Sequence, residues 1–403
     1  MIGSEAPDWF ELGKDPRATC VKCGFQRRMW RVEFDEKLIY AKVARSTRGL
    51  GAWLSTYLGL SAGQREWRTS RRAESRGVAV AHCIAIGIDR SAGRRTALLS
   101  EGIERAVPLA DAWKNRWTHG GRHESNAVIE AVARLFVRAH ESGFVHRDGH
   151  PNNIIVHRTA SGEKGATFID VALASITKGP APYTAIVRSL AQLDHAFTHR
   201  ATRAQRLRFL RRYLELLGVP NSRREERWLE HRIVPAIDDA RSVHAARLAR
   251  RRDRRIFRDG KYFARLSLSG GWQAQVALRL GRRHVFPETQ IPDRTQKDWS
   301  QILEPALSAW QYDRAATIGA DSERLKIRID IPGGLLARLA WTMNGSPLRR
   351  LFVRCHRLRH RDLAAPPALG YLQHRTARGL IDAAGLVYAH DNATKVSSAR
   401  PVR

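Results

Sequence analysis

The residues best placed to do chemistry are His146, Arg147, Asp148 and Asn153, in the stretch Gly-Phe-Val-His-Arg-Asp-Gly-His-Pro-Asn-Asn-Ile-Ile-Val from 143 to 156. An aspartate followed five residues later by an asparagine suits phosphoryl transfer. Asp148 can face an acceptor hydroxyl, while Asn153 turns back toward a metal ion on nucleotide phosphates. One short rigid turn then sets both distances. A charged surface turn could carry the same letters. Against that, an apolar helical pattern precedes the loop, Ile154-Ile155-Val156 follows it, and the other parts of such a site occur in order along the chain.

Phosphoryl transfer needs positioning and charge neutralisation more than covalent chemistry. Lys42 ends the apolar alternation Ile39-Tyr40-Ala41-Lys42 and can grip nucleotide phosphates. Glu66, in Gln64-Arg65-Glu66-Trp67 on the next predicted helix, can pair with Lys42 and fix its ammonium. Glu74 shares that helix and is the second choice. Asp170 ends the short strand pattern Thr167-Phe168-Ile169 and can hold a metal that bridges two phosphates. Asp148 is the candidate base or hydroxyl-orienting group, and Asn153 supplies the second metal contact. Glu101-Gly102-Ile103 closes a strand and is expected to be the hinge, where the backbone of Glu101 and Ile103 meets adenine.

The elements that must hold these groups follow from period and punctuation. Residues 28 to 45 alternate around Asp35-Glu36-Lys37, a hairpin pattern. Ser61 is the N-cap of a helix running to about Arg76, with Gly77 as its stop. Val78 to Ile88 and Arg95 to Leu99 read as strands. A helix from Ser125 places Ile129, Val132, Phe136 and Ala139 on one face and delivers the chain to the Asp148 loop. Helices are expected over Thr184 to Phe197, Arg203 to Leu217 and the basic stretch Arg223 to Arg254. Two features depart from an ordinary protein kinase: no G-x-G-x-x-G precedes Lys42, and Val171-Ala172, not Phe-Gly, follows Asp170. Only Gly24 lies near the expected turn, so the phosphate cover is short, with Arg27 and Arg28 as candidates to supply charge. No A-P-E follows Asp170 before the next helix, which leaves no room for a long activation segment.

Tyr40-Ala41-Lys42, Arg65-Glu66-Trp67, His146-Arg147-Asp148-Gly149-His150-Pro151-Asn152-Asn153, Ile169-Asp170 and the arginine-rich helix from Arg203 to Tyr213 together resemble the lipopolysaccharide kinase family, the bacterial core-heptose and Kdo kinases. The resemblance runs from residue 1 to about 258. It implies ATP and Mg2+ as cofactors, a sugar hydroxyl on a lipid-linked glycan as acceptor, and work at the cytosolic membrane face. It also implies roles for Lys42, Glu66, Asp148, Asn153 and Asp170. The expected fold is α+β: a bilobal, protein-kinase-like arrangement with an antiparallel β small lobe (1–104) and a helical large lobe (105–258). Other readings stay open: an atypical protein or small-molecule kinase, or a nucleotide-binding pseudokinase scaffold. Antibiotic kinases usually read H-G-D, which Arg147 disfavours.

Composition sets the outer bounds. With 403 residues and 43% apolar content the chain suits two or three domains with substantial cores. The 70 basic residues, mostly arginine, against 39 acidic ones give a net charge of +31. Such a surface can attract nucleic acid, anionic lipid or phosphorylated substrates. The arginines are spread along the chain, however, and no nucleic-acid-binding signature is found, so a nucleic-acid partner is not expected. An anionic membrane surface remains a candidate partner. No apolar run approaches the roughly 20 residues of a membrane span. The first residues lack the basic-then-apolar signal pattern, so a cytoplasmic protein is expected, with peripheral contact at the inner face of the inner membrane. The C-x-x-C at Cys20 and Cys23 has no second pair and reads as reduced thiols on a strand or its turn. From 259 to 403 the expectation is a strand-containing, degenerate small-lobe-like domain. Arg357, Arg361 and Arg375 repeat Arg72, Arg76 and Arg90 at a constant offset, Leu351 falls opposite Glu66, and Arg338 is the candidate counterpart of Lys42.

Overall fold

The computed structural model describes residues 6–24, 27–44, 57–89, 95–115, 121–218, 232–280, 293–308, 316–320 and 325–389. Arg90 of the arginine echo and residues 223–231 of the expected basic helix lie outside them. The fold is mixed α and β with antiparallel sheets, in two compact units, 1–244 and 245–403. Helix α6, numbered below, crosses that boundary.

In the first unit, strands β1 (Ala18–Cys23), β2 (Arg27–Phe34), β3 (Lys37–Ala44), β4 (Cys83–Ile88) and β5 (Thr96–Glu101) form a sheet in the order β1-β2-β3-β5-β4. The β2–β3 hairpin turns at Asp35 and Glu36, both at positive φ (52° and 58°), the two-residue geometry that matches strand twist. Cys20 and Cys23 are exposed free thiols on β1. Helix α1 (Ala62–Glu74) starts at a capping box: Ser61 Oγ accepts from the Gln64 amide, and the Gln64 side chain accepts from the Ser61 amide. It buries Glu66, Ser70 and Ala73.

The rest of this unit is mainly helical: α2 (Leu109–Asn115), α3 (Gly121–Glu141), α4 (Tyr183–Phe197), α5 (Arg203–Leu216) and α6 (Val234–Asp253). Helix α3 buries Val128, Ile129, Val132, Phe136 and Ala139 at helical spacing. Two small sheets complete the unit: β6 (Val107–Pro108), just before α2, with β8 (Ile154–Arg158) and β9 (Lys164–Phe168), and β7 (Phe144–Val145) with β10 (Ser175–Ile176). Gly143 joins α3 to β7 at φ +75°, and a Cβ there would lie 2.2 Å from the Gly179 carbonyl oxygen, so both backbone angle and space require glycine. Phe168, at the end of β9, packs against Phe136 (5.4 Å), Phe144 (5.5 Å) and His146 (5.3 Å).

The second unit is one six-stranded sheet covered on both faces. Strands β11 (Phe263–Ser267), β12 (Trp272–Ala277), β13 (Ala316–Ala320), β14 (Leu325–Asp330), β15 (Ala368–Arg375) and β16 (Ile381–Ala389) run in the order β11-β12-β15-β16-β14-β13. Helix α7 (Gln296–Ser308) places Trp299, Leu303 and Leu307 with Leu372, Ala383 and Val387 on one face. Helix α8 (Leu335–Asn344), through Trp341, and helix α9 (Pro347–His360), through Phe352, join Tyr371, Ala384 and Leu386 on the other. Neighbouring residues 383 and 384, or 386 and 387, belong to opposite cores, as the two-residue period of a strand requires.

The path β13-β14-β16-β15 repeats the path β2-β3-β5-β4, antiparallel at every step. Helix α9 and strands β15 and β16 start at one constant offset from α1, β4 and β5 (347 against 62, 368 against 83, 381 against 96). Arg338 does not match Lys42, because it lies on helix α8 rather than on a strand. Strands β13 and β14 start at slightly larger offsets (316 against 27, 325 against 37), so the constant offset does not give Lys42 a counterpart on β14, whereas Glu66 meets Leu351, which is 41% exposed.

Candidate active site

Lys42 is an interior residue of β3, paired with Met29 of β2 and Leu98 of β5. Helix α1 brings Glu66 to it, and the Lys42 ammonium and Glu66 carboxylate form a short salt bridge with both side chains largely buried. Glu74 is engaged elsewhere: its Oε1 lies 2.9 Å from His82 Nδ1. The two glutamates are thus distinguished by what they touch. Ser70, one turn beyond Glu66, donates to the Ala81 carbonyl at 2.8 Å and anchors the helix to the segment before β4.

That segment also fixes the Asp170 strand. The Ala81 amide donates to the Phe168 carbonyl (2.9 Å) and the Phe168 amide to the Ala79 carbonyl (3.0 Å). Two residues later Asp170 has φ 58° and ψ 49°, a left-handed conformation that aspartate tolerates better than most residues. Its carboxylate lies 3.8 Å from Lys42 Nζ. Arg27 grips the same carboxylate through two nitrogens, Nη1 to Oδ1 at 3.3 Å and Nη2 to Oδ2 at 2.8 Å. Partial burial pushes the Asp170 pKa up, but the charge of Lys42 and the Arg27 hydrogen bond outweigh it and hold the carboxyl below its ordinary value.

The Asp148 loop is held from three sides. His146 is buried, its Nε2 is 2.9 Å from the Ile169 carbonyl, and its Nδ1 accepts from the Asp148 amide at 3.2 Å. Burial lowers the His146 pKa, which keeps the ring neutral so that one nitrogen donates while the other accepts. Gln192 Oε1 on α4 accepts from the Gly149 amide at 3.3 Å. Pro151 opens a single 3-10 turn, Pro151–Asn153, that swings Asn153 back. Asn153 Nδ2 donates to the Asp148 carbonyl (2.9 Å) and carboxylate (3.3 Å). The Ile169 amide donates to the Asn153 carbonyl at 2.9 Å, tying the loop to the residue before Asp170.

Five of the candidates, Lys42, Glu66, Asp148, Asn153 and Asp170, are therefore linked directly or through one neighbouring residue. Glu101 and Ile103 stand apart from that network, at the end of β5. The Glu101 amide is taken by the His82 carbonyl (2.9 Å) and the Gly102 amide by the Leu38 carbonyl (2.6 Å). Three further residues emerge from the structure. Arg27 was legible only as nearby charge, and its grip on Asp170 depends on a contact across 143 positions. His146 could be recognised by type, but not as a buried strut. Gln192, inside an unremarkable helical pattern, had no signal at all.

Asp170 and Asn153 fit a hard cation such as Mg2+, since a carboxylate and an amide oxygen are oxygen donors. Among the described residues no three His, Cys, Asp or Glu side chains gather as a metal cage. The two donors instead fit an ion that draws its remaining ligands from phosphate oxygens and water. A cavity of about 300 Å³ lies elsewhere, among helices α2 to α6, lined by Trp113, Ile129, Leu190, Phe197 and Leu210, and no candidate site residue borders it.

The sequence model of the lipopolysaccharide kinase (Kdo/WaaP) family matches residues 29–213, a span that contains Lys42, Glu66, Asp148, Asn153 and Asp170. The lipopolysaccharide core heptose(I) kinase WaaP of Pseudomonas aeruginosa is 28% identical over 203 residues, covering 46% of this chain and 73% of that protein. A solved structure described as WaaP in complex with acyl carrier protein is 22% identical, with a TM-score of 0.41, covering 56% of this chain and 87% of that one.

Proposed function

From the match of residues 29–213 to the lipopolysaccharide kinase family, we propose that the chain is a kinase that transfers the γ-phosphate of ATP to a sugar hydroxyl of a lipopolysaccharide-like glycolipid. The observation that carries this reading is the convergence of Lys42, Glu66 and Asp170 beside the Asp148–Asn153 turn. In this reading Lys42 holds nucleotide phosphates and Glu66 fixes its ammonium. Asp170 and Asn153 would hold Mg2+, which would supply charge neutralisation at the phosphates. Asp148 orients the acceptor hydroxyl and accepts its proton as the oxygen bonds to the γ-phosphorus. The bond to the β–γ bridging oxygen then breaks and ADP leaves. Adenine meets the backbone near Glu101 and Ile103. Because the Glu101 and Gly102 amides are already engaged, Ile103 is the better amide donor.

Arg27 takes over part of the work of the missing glycine-rich loop. It sits at the start of β2 and pairs with Asp170. From there its guanidinium is placed to meet nucleotide phosphates, a geometry arginine suits. The fold reading is bilobal and protein-kinase-like, with 1–104 as small lobe and 105–258 as large lobe. The repeated strand path and helix support residues 259–403 as a degenerate small lobe, with Leu351 in place of Glu66. The expected place of work is the cytoplasmic face of the inner membrane. Mass spectrometry of the host's envelope glycolipids with and without this protein tests the assignment. Loss of one phosphate from a core sugar is expected, and an unchanged glycolipid profile would refute it.

A further inference from the structure

Helix α8 carries an apolar face that the second unit does not use. Leu336 is 83% exposed, Met343 82%, Leu335 63% and Leu339 40%. Leu336, Leu339 and Met343 stand three and four residues apart, on one side of the helix. The opposite side is spoken for, since Trp341 enters the core, and on the flank Thr342 Oγ1 accepts from the Ile381 amide of β16 at 2.9 Å. After Gly345 and Ser346 comes α9, which lies on the same face of the sheet and buries Leu348, Phe352, Cys355 and His356. Its outer side presents Arg350, Arg354 and Arg357, exposed and one helical turn apart. From Ile331 to Arg361 there is no Asp or Glu. The outer surface of this helical layer is thus an apolar ridge beside an arginine stripe.

We propose that this face of α8 and α9 docks on an anionic phospholipid bilayer. Leu336, Leu339 and Met343 enter the acyl boundary, and Arg350, Arg354 and Arg357 meet the headgroup phosphates. This pairing of apolar face and basic flank is what binds interfacial helices to charged lipid. A second copy of the chain is a poorer occupant. A two-fold contact through this patch would set two arginine stripes against each other with no acid from Ile331 to Arg361 to answer them. The inference rests on the glycolipid-kinase reading only for its purpose, which is to hold the enzyme where its acceptor is anchored. The binding itself is independent of phosphotransfer.

The test is flotation of the full chain with vesicles of phosphatidylcholine alone and of phosphatidylcholine with about one-third phosphatidylglycerol. The protein should float with the anionic vesicles and at least about tenfold less with the neutral ones. Leu336→Glu with Met343→Glu, and Arg350→Gln with Arg354→Gln and Arg357→Gln, should each weaken flotation about tenfold or more. An equal loss of charge at Arg250, Arg251 and Arg254 should leave it in place. Equal loss in that control, or full binding by the two face variants, would overturn the proposal. So would concentration-dependent dimers that the leucine–methionine variant dissolves. Flotation is also read on Asp148→Asn, and phosphotransfer on a soluble acceptor. Failure of the kinase reading leaves flotation unmoved, and failure of the docking face leaves transfer to the soluble acceptor unmoved.

Discussion

At the residue scale the account rests on a few charges and their partners. Asp148→Asn should lower turnover by roughly 10²–10⁴-fold with the fold intact, because it removes the proton acceptor and keeps the hydrogen-bonding shape. Asp170→Asn should have a comparable effect through the metal. Asparagine also tolerates the left-handed backbone at this position, so thermal unfolding should be nearly unchanged while turnover collapses. Near-wild-type turnover in either purified variant would contradict the assigned roles. The Lys42–Glu66 contact makes a different kind of prediction. Lys42→Ala, Glu66→Ala and the double change should be strongly non-additive in kcat/KM, with a coupling of about 1–3 kcal/mol. Additive losses would mean that the pair does not act as a unit. Arg27→Gln should weaken ATP binding about tenfold in the presence of Mg2+, the loss expected for one partly exposed charge-assisted contact. It should also tighten Mn2+ binding to the nucleotide-free protein, because Asp170 is no longer neutralised. Unchanged values of both constants would reduce the Arg27–Asp170 pair to a static surface contact.

At the element scale, what the sequence disclosed and what it hid have separate physical causes. Helix α3 was legible because Ile129, Val132 and Phe136 repeat at its period, and α1 because Ser61 and Gln64 make a capping box. The hairpin before Lys42 was legible because Asp35 and Glu36 interrupt a two-residue alternation. Arg338 was misplaced for the opposite reason: a basic residue between leucines fits a strand or a helix, and only packing against β16 decides. The grip of Arg27 on Asp170 and the struts from His146 and Gln192 depend on contacts between distant positions, which periodicity does not encode. Helix α3 also carries a pH prediction. His140 is buried, its Nδ1 is 2.8 Å from the Tyr213 hydroxyl oxygen, and burial pushes its pKa down from 6.5 to about 4. Folded His140 stays neutral where the unfolded residue takes up a proton. The unfolded state therefore binds more protons between these values, and stability is lost as pH falls from about 6.5 toward about 4. The full effect is roughly 3 kcal/mol. Urea unfolding of wild type and His140→Gln over this range checks it: the variant should lack this part of the slope, and equal slopes would remove His140 as the cause.

At the scale of the whole molecule, two units share a strand path but not a set of charges. The first has Lys42 against Glu66, and the second has Leu351 at the offset of Glu66. A leucine cannot fix an ammonium on phosphate, so photolabelling of the intact chain with an azido-ATP should mark peptides of residues 1–244 only. Labelling confined to residues 245–403 would reverse the assignment of the two halves. The repeat itself could be suspected from arginine spacing, but spacing could not reveal that β13-β14-β16-β15 follows β2-β3-β5-β4, because sheet order is a property of long-range pairing. The most direct test of the central claim follows the phosphate. Purified protein is mixed with Mg2+, ATP labelled at the γ-phosphate, and a lipopolysaccharide core acceptor. Mass spectrometry then locates the label. One phosphate on a sugar hydroxyl, added by wild type and not by Asp148→Asn, is the predicted result. Equal transfer by Asp148→Asn, or label on protein and none on sugar, would contradict it.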